Sequence, residues 1–237
     1  APRDEAEEEM GSYAAKGFTA VKMRAEGRDG FSVAKAVQRV AAARRGIGPG
    51  IELMIDAHGS LDVPTAIRLA KRMEEYDIAW FEDPVSPDNY QGLADVRSAT
   101  GMTIATGERE WTRFDFLRLI DCKAVDIIQP DIAIAGGYTE VRRIATLASA
   151  HGLRFAPHIH DSALIFAASI HIAMSAPNCH IFEVFQAPIP LLWEVFEEPF
   201  DIRDGYVYAP DRPGLGFTLR DDIEERFPYV SGPTYIY

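Results

Sequence analysis

The chain has 237 residues, 47% hydrophobic and 25% charged, which suits one soluble α/β body with a sizeable core. Its formal net charge of −12 argues against a nucleic-acid or anionic-membrane partner, since phosphate-rich surfaces select Lys and Arg. The longest charge-poor stretch, LIFAASIHIAMSAP, is too short to span a bilayer and carries His171.

Neither a signal peptide nor a low-complexity tract stands out in the sequence. Cys122 and Cys179 lack CxxC or metal-type spacing, so buried, inert thiols in a reducing, cytoplasmic compartment are expected. A disulfide between them stays open at this point.

Residues 1–16 read as an acidic helix leading into the apolar run TAVKMR, which closes on Lys22 and Arg24. The helix-like FSVAKAVQRVAAARRGIG follows, and then IELMID, ending on Asp56. DVPTAIRLAKRMEEY places Ala66, Leu69, Ala70 and Met73 on one helical face, with Asp62 ahead of it as a cap. IAWFE ends on Glu82 and MTIATGE on Glu108, and WTRFDFLRLIDCK again reads as helix. VDIIQP leads to Asp131, and YTEVRRIATLASAHG gathers Val141, Ile144, Leu147 and Ala148, with Gly152 as terminator. GLRFAP leads to His158, and HIFEVF holds Glu183.

From Arg24 the charged beats recur in steps no longer than a β/α unit of roughly 30 residues; the first interval, to Asp56, also holds a longer loop. Strands alternating with amphipathic helices imply parallel pairing with helices outside. Seven strand ends, at 24, 56, 82, 108, 131, 158 and 183, are one short of a closed (β/α)7β TIM-type barrel. The absent strand is expected ahead of the helix at residues 1–16. The barrel is then expected over 1–190, from the first barrel helix to the last strand. Over 191–237 the β/α beat gives way to a Pro/Gly-rich tail of short strands and turns that pack on something else.

Apolar runs ending in carboxylates need a reason, because a lone desolvated carboxylate is costly. One such residue is commonly a helix cap. Asp56, Glu82 and Glu108, at two equal intervals of 26 residues, point instead to one shared hard cation, with Mg²⁺ favoured. No cysteine or histidine cluster accompanies them to favour a softer metal. Asp131 and His158 fall on adjacent beats, where a carboxylate on one ring nitrogen raises the basicity of the other, as a general base requires. Among other residues, Trp80 reads as core beneath Glu82 and His151 as a helix end, while Trp111 and His160 could line the pocket.

The ordered set Lys22-Met23-Arg24, Asp56, Glu82 in FEDP, Glu108 in TGE, Asp131 in QPDIAIAGG, His158 in APH and Glu183 in FEVF resembles the enolase superfamily, mandelate racemase subgroup. IDAHGSLDVPTAI is similar to that subgroup's third strand and following helix, and the resemblance covers nearly the whole chain.

The resemblance implies that Asp56, Glu82 and Glu108 hold Mg²⁺ and that a base removes the proton α to a substrate carboxylate, giving an enediolate. Lys22 would add positive charge at the oxyanion. Glu183, protonated or strongly hydrogen-bonded, would donate from the other side. It also implies an N-terminal capping domain that meets residues 191–237 and supplies substrate specificity, and self-association as a homo-oligomer. His58 lies two residues beyond Asp56, hence on the same face. That D-x-H pattern resembles the subgroup's sugar-acid dehydratases, where the histidine protonates the departing 3-hydroxyl. Arg24 stands where racemases of the subgroup use a second lysine base, and a guanidinium stays protonated.

The expectation is therefore an Mg²⁺-dependent hydro-lyase acting on a small acid sugar and giving a 2-keto-3-deoxy acid, with His158 as base and His58 as acid. A racemase or epimerase using the same enediolate, and a non-catalytic barrel that binds metal and carboxylate, remain the alternatives.

Overall fold

Parallel strands need a long return path, so short apolar runs separated by amphipathic helices lay down a sheet with helices on its outer face. In the computed structural model, which describes residues 3–27, 30–160, 162–186 and 188–232, this alternation gives six strands paired in chain order. They are β1 Ala20–Arg24, β2 Glu52–Asp56, β3 Ile78–Glu82, β4 Ile104–Thr106, β5 Ile127–Ile128 and β6 Arg154–Phe155. Every ladder is parallel, and the register sets Arg24 beside Asp56 and Asp56 beside Glu82.

The helices are α1 Arg3–Ala15, α2 Val33–Ile47, α3 Val63–Met73, α4 Tyr90–Thr100, α5 Thr112–Asp121, α6 Gly137–Ala150 and α7 Ala163–Ser175. At the start of α3 the Asp62 carboxylate accepts the Thr65 N–H, and the helix buries Ala66, Leu69, Ala70 and Met73, the predicted face. Helix α6 buries Val141, Ile144 and Ala148 as expected, but Ala145 turns inward and Leu147 stays half-buried. Between sheet and helices runs one continuous core that includes Leu53, Leu69, Phe81, Leu93 and Phe116, all fully buried. Each such side chain is worth about 1.5–3 kcal/mol. A separate cluster of Met54, Trp80, Ala105, Ile127 and Ala156 sits under the mouth.

Three beats fall beyond their strands rather than on them. Strand β4 stops before Gly107, whose φ of 130° only glycine adopts readily. Pro130 and Pro157 follow β5 and β6 and can donate no ladder hydrogen bond. Glu108, Asp131 and His158 therefore project from loops at the carboxyl ends of the strands. Asp131 and His158 stay paired through an isolated parallel bridge.

The HIFEVF segment forms no regular strand. It joins β6 through one bridge between Phe155 and Cys179, with the His180 N–H donating to Phe155 O at 2.7 Å. Among the described residues no ladder joins this segment to β1, so the ring is open there. The Lys22–Glu183 ion pair, at 2.8 Å, spans the opening.

The tail begins in α8, Pro190–Trp193, and continues through an antiparallel hairpin of β7 Asp201–Arg203 and β8 Tyr206–Tyr208 to α9, Ile223–Arg226. It packs on α7: the Phe200 ring lies 4.2 Å from that of Phe166, and His171 Nε2 lies 3.0 Å from Leu215 O. The last five residues of the expected 191–237 unit, 233–237, lie outside the described residues. Both cysteines are free, and Cys122 is exposed rather than buried. Among the described residues no helix is long and apolar enough to cross a membrane.

Candidate active site

Strand ends deliver most of the charge. Asp56 and Glu82 close β2 and β3, and Glu108 follows the Gly107 turn. All three are less than a tenth exposed. Asp56 Oδ1 accepts the His58 N–H at 2.7 Å, while its Oδ2 faces Arg24 Nε at 3.1 Å. Lys22 Nζ sits between Glu82 Oε1 at 2.5 Å and Glu183 Oε1 at 2.8 Å. Burial opposes its charge, but Glu183, Glu82 and Asp56 outweigh that and hold its pKa well above the usual lysine range.

Asp131 and His158 lie within hydrogen-bonding distance of one another. His158 Nδ1 lies 2.9 Å from Asp131 Oδ2, which leaves Nε2 facing the mouth, 3.4 Å from Glu108 Oε2. Asp131 is itself fixed by the Ala133 N–H at 2.7 Å. Burial alone would lower the His158 pKa, but Asp131, Glu183 and Glu108 raise it to about 9. Glu183 shows the strong hydrogen bonding expected of it, as acceptor rather than donor, taking the Ile159 N–H at 3.0 Å. Burial opposes its ionisation, yet Lys22 and His158 hold it below the usual carboxylate range. A protonated Glu183 is therefore not what this arrangement makes.

His58 does reach the mouth, with Nδ1 3.3 Å from Glu108 Oε1. Its backbone is left-handed, φ 52°, and its carbonyl accepts Arg109 Nη2–H at 3.0 Å. Burial, with Arg24 and Arg109 nearby, lowers its pKa to about 4, so the ring stands neutral near pH 7. Arg24 is half-exposed and lines the same cleft. His160 also lines it, stacked 6.1 Å from His158 and tilted 4.5 Å from Phe185, whereas Trp111, 66% exposed at the start of α5, does not line it.

Four further residues shape the site. Trp80 is more than core, because its indole N–H donates to Glu82 Oε2 at 3.0 Å, and Gln129 donates to the same oxygen at 2.8 Å. Gln129 had a signal, since it precedes Asp131 by two and so shares its face. Asp83 had none. A strand continuing through it would point it away from the mouth, but its φ of 37° turns the chain, and it is buried with Thr106 Oγ1 donating at 2.5 Å. Burial and Glu108 raise its pKa to about 8. Arg109 lies at 3.5 Å from Glu108 and 4.0 Å from Asp83.

Among the described residues no three His, Cys, Asp or Glu side chains already converge on one coordinating point. The donor chemistry nevertheless fits a hard divalent cation: buried carboxylate oxygens on neighbouring strands, too close to share an uncompensated charge. Burial and Glu82, with a further push from Glu108, raise the Asp56 pKa to about 7 despite Lys22 and Arg24. Asp56, Glu82 and Glu108 are the residues that would hold the ion. Around them a cleft of about 1690 Å³ runs from the mouth along the open side of the ring, between β1 with α1 and residues 176–186 with α7.

Known proteins share this fold. The chain is 36% identical over 227 residues to the D-galactarolactone cycloisomerase of Agrobacterium fabrum, a match covering 92% of this chain and 59% of that protein. It is 34% identical over 199 residues to a D-galactonate dehydratase family member of Streptomyces bingchenggensis, covering 83% of this chain and 48% of the relative. The chain thus spans about half to three-fifths of the length of these relatives. Among solved structures, the 3,6-anhydro-D-galactonate cycloisomerase of Zobellia galactanivorans superposes with a TM-score of 0.87 at 35% identity, over 93% of this chain and 62% of that one. A mandelate racemase/muconate lactonizing enzyme from Jannaschia sp. CCS1 gives 0.89 at 34% identity, over 98% and 61%. With residues 5–223 matching the family "Enolase C-terminal domain-like", the chain belongs to that family, as a barrel domain of the enolase superfamily.

Proposed function

We propose that this barrel carries the catalytic face of an acid-sugar dehydratase that removes the proton α to the carboxylate and expels the 3-hydroxyl, leaving a 2-keto-3-deoxy acid. The observation that carries the reading is the Asp131–His158 pair, whose free Nε2 faces the buried carboxylates across the mouth. A divalent cation held by Asp56, Glu82 and Glu108 would supply electrophilic stabilisation of the substrate carboxylate as it gains enediolate character. His158 takes the α-proton, and Lys22 places a fixed ammonium beside the developing charge.

Departure of the 3-hydroxyl needs a proton, and this reading assigns that role to His58, whose Nδ1 lies 3.3 Å from Glu108 Oε1. With its pKa near 4 and that of His158 near 9, the resting mouth holds these protons the wrong way round for elimination. Glu108 supports a proton on both rings, so neutralising its charge would favour His158 as base without making His58 a stronger proton carrier. Arg24, which stays charged, suits a one-base reaction, with its guanidinium on a substrate hydroxyl or carboxylate rather than acting as a second base. A capping domain over the mouth and against residues 191–237, and self-association, belong to the same reading.

Similarity to two cycloisomerases supports a second reading. If the expelled β-oxygen belongs to a ring, the same elimination yields an isomer instead of losing water. Incubation with Mg²⁺ and a panel of aldonates and their lactones in D₂O separates the two. Dehydration gives a 2-keto product that has lost one water and carries solvent deuterium at C3, whereas ring opening gives an isomer that has lost no water and is heavier than its substrate only by that deuterium. The His58→Asn variant is expected to keep C2 exchange while losing product. Full product formation by His58→Asn would remove His58 from the mechanism, and epimerised substrate alone would replace elimination with racemisation.

A further inference from the structure

The Glu82 carboxylate is held from two directions by different kinds of partner. Oε1 faces the charged Lys22 at 2.5 Å. Oε2 takes two neutral N–H groups, from Trp80 at 3.0 Å and from Gln129 at 2.8 Å. All three interior side chains are almost completely buried, with Glu82 1%, Trp80 3% and Gln129 3% exposed.

We propose that Trp80 and Gln129 are positioning residues for the cation site, clamping Glu82 by one oxygen so that the other is presented to the ion. The inference rests on the cation reading above. Both donors are neutral, so they fix the carboxylate without adding positive charge that would compete with a cation, as Lys22 and Arg24 do. Two donors occupy both lone pairs of Oε2, so ligation falls to Oε1, which keeps one lone pair beside its Lys22 contact. Trp80 precedes Glu82 by two on β3 and so shares its face, while Gln129 comes directly after β5.

Gln129 is anchored in turn. Its backbone N–H donates to Thr106 O at 2.9 Å, and a Cβ at Gly107 would lie only 3.2 Å from that nitrogen. The segment Gln129-Pro130-Asp131 therefore carries, on one short stretch of chain, both the clamp on a cation ligand and the partner of the base. Partners that orient ligating groups commonly change metal affinity by about 10–100-fold when removed.

The test uses Mn²⁺ alone as probe, on this chain, with binding followed by titration calorimetry and unfolding temperature measured without metal. Gln129→Met keeps length and apolar packing but removes the donor, and Trp80→Phe removes the indole N–H. Each is expected to bind Mn²⁺ about 10–100-fold more weakly than the wild type. Variants with a lowered unfolding temperature but Mn²⁺ affinity within twofold of wild type would overturn the proposal, since the two residues would then only brace the interior. Should Trp80→Phe not fold, Gln129→Met decides alone. A wild-type chain that takes up no Mn²⁺ would instead overturn the cation reading, and this inference with it.

Discussion

Two sets of charges in this molecule are built on opposite plans. Outside the mouth several charges are closely matched. Arg97 grips Asp126 through Nε and Nη2, at 2.9 and 2.6 Å, while Asp126 also caps the Ile104 N–H. Arg113 and Arg143 share Glu140, whose pKa the Arg113 backbone N–H and both guanidinium groups bring down to about 2 against its burial. Arg44 ties the carbonyls of Gly48, Ile51, Tyr76 and Asp77. At the mouth, Asp56, Glu82, Asp83, Glu108, Asp131 and Glu183 face Lys22, Arg24, Arg109 and a His158 whose pKa is raised to about 9, and pKa values climb to about 7 at Asp56 and about 8 at Asp83. One region is balanced for stability. The other is left short of positive charge, the condition expected of a place that receives a cation and an anionic substrate.

The sharpest test of that contrast is His158→Asn. Loss of a positioned base is expected to slow α-proton exchange about 10²–10⁴-fold, with little change in unfolding temperature above pH 9, where the His158 proton no longer adds stability. A large fall in stability would mean that the mouth too is built to hold the fold together. Arg44→Ala should do the reverse, costing on the order of 3 kcal/mol in denaturant unfolding through lost hydrogen bonds from a charged group and leaving Mn²⁺ affinity unchanged. Gly107→Ala touches both regions. Its φ of 130° and a Cβ only 2.6 Å from Phe116 predict a cost of about 1–3 kcal/mol, together with weaker Mn²⁺ binding as Glu108 shifts.

The smallest effect is on pH dependence. Asp56 and Asp83 bind protons more tightly folded than unfolded, and so does His158. Each adds stability at low pH that is lost as pH rises through about 7, 8 and 9 respectively. Metal-free unfolding temperature should therefore fall from pH 6.5 to 9, the window above the ordinary histidine value in which these three act together. Below it His58 works the other way, because its stabilisation is lost as pH falls toward about 4. Glu140 outside the mouth is silent across the window, its contribution being lost only as pH falls toward about 2. A flat calorimetric profile from pH 6.5 to 9 would erase the difference between the regions.

Much of the fold was legible because period and spacing are local. The face of α3, the order of the parallel strands and the Asp131–His158 neighbourhood all follow from where apolar residues recur. Strand ends were less legible, since Gly107, Pro130 and Pro157 end the ladders before the charged beats. The HIFEVF segment shows why pattern alone overstates a strand: with no partner ladder on its β1 side, it keeps one bridge. In the site, residue types were readable but protonation was not. His58 as a neutral ring and Glu183 as an ionised acceptor depend on Arg24, Arg109 and Lys22 converging from separate elements, which no single stretch of sequence displays. Asp83 stayed hidden because one left-handed residue redirects its side chain.

The central claim is that the mouth lacks the positive charge of a cation held by Asp56, Glu82 and Glu108. Thermal unfolding of this chain with and without Mg²⁺ across pH 6.5–9, the window set by the raised Asp56, Asp83 and His158 values, tests it most directly. The predicted result is an unfolding temperature that rises with Mg²⁺ concentration, as binding to the folded state requires, with the metal-free decline toward high pH flattened. An unfolding temperature and pH profile untouched by Mg²⁺ would contradict it.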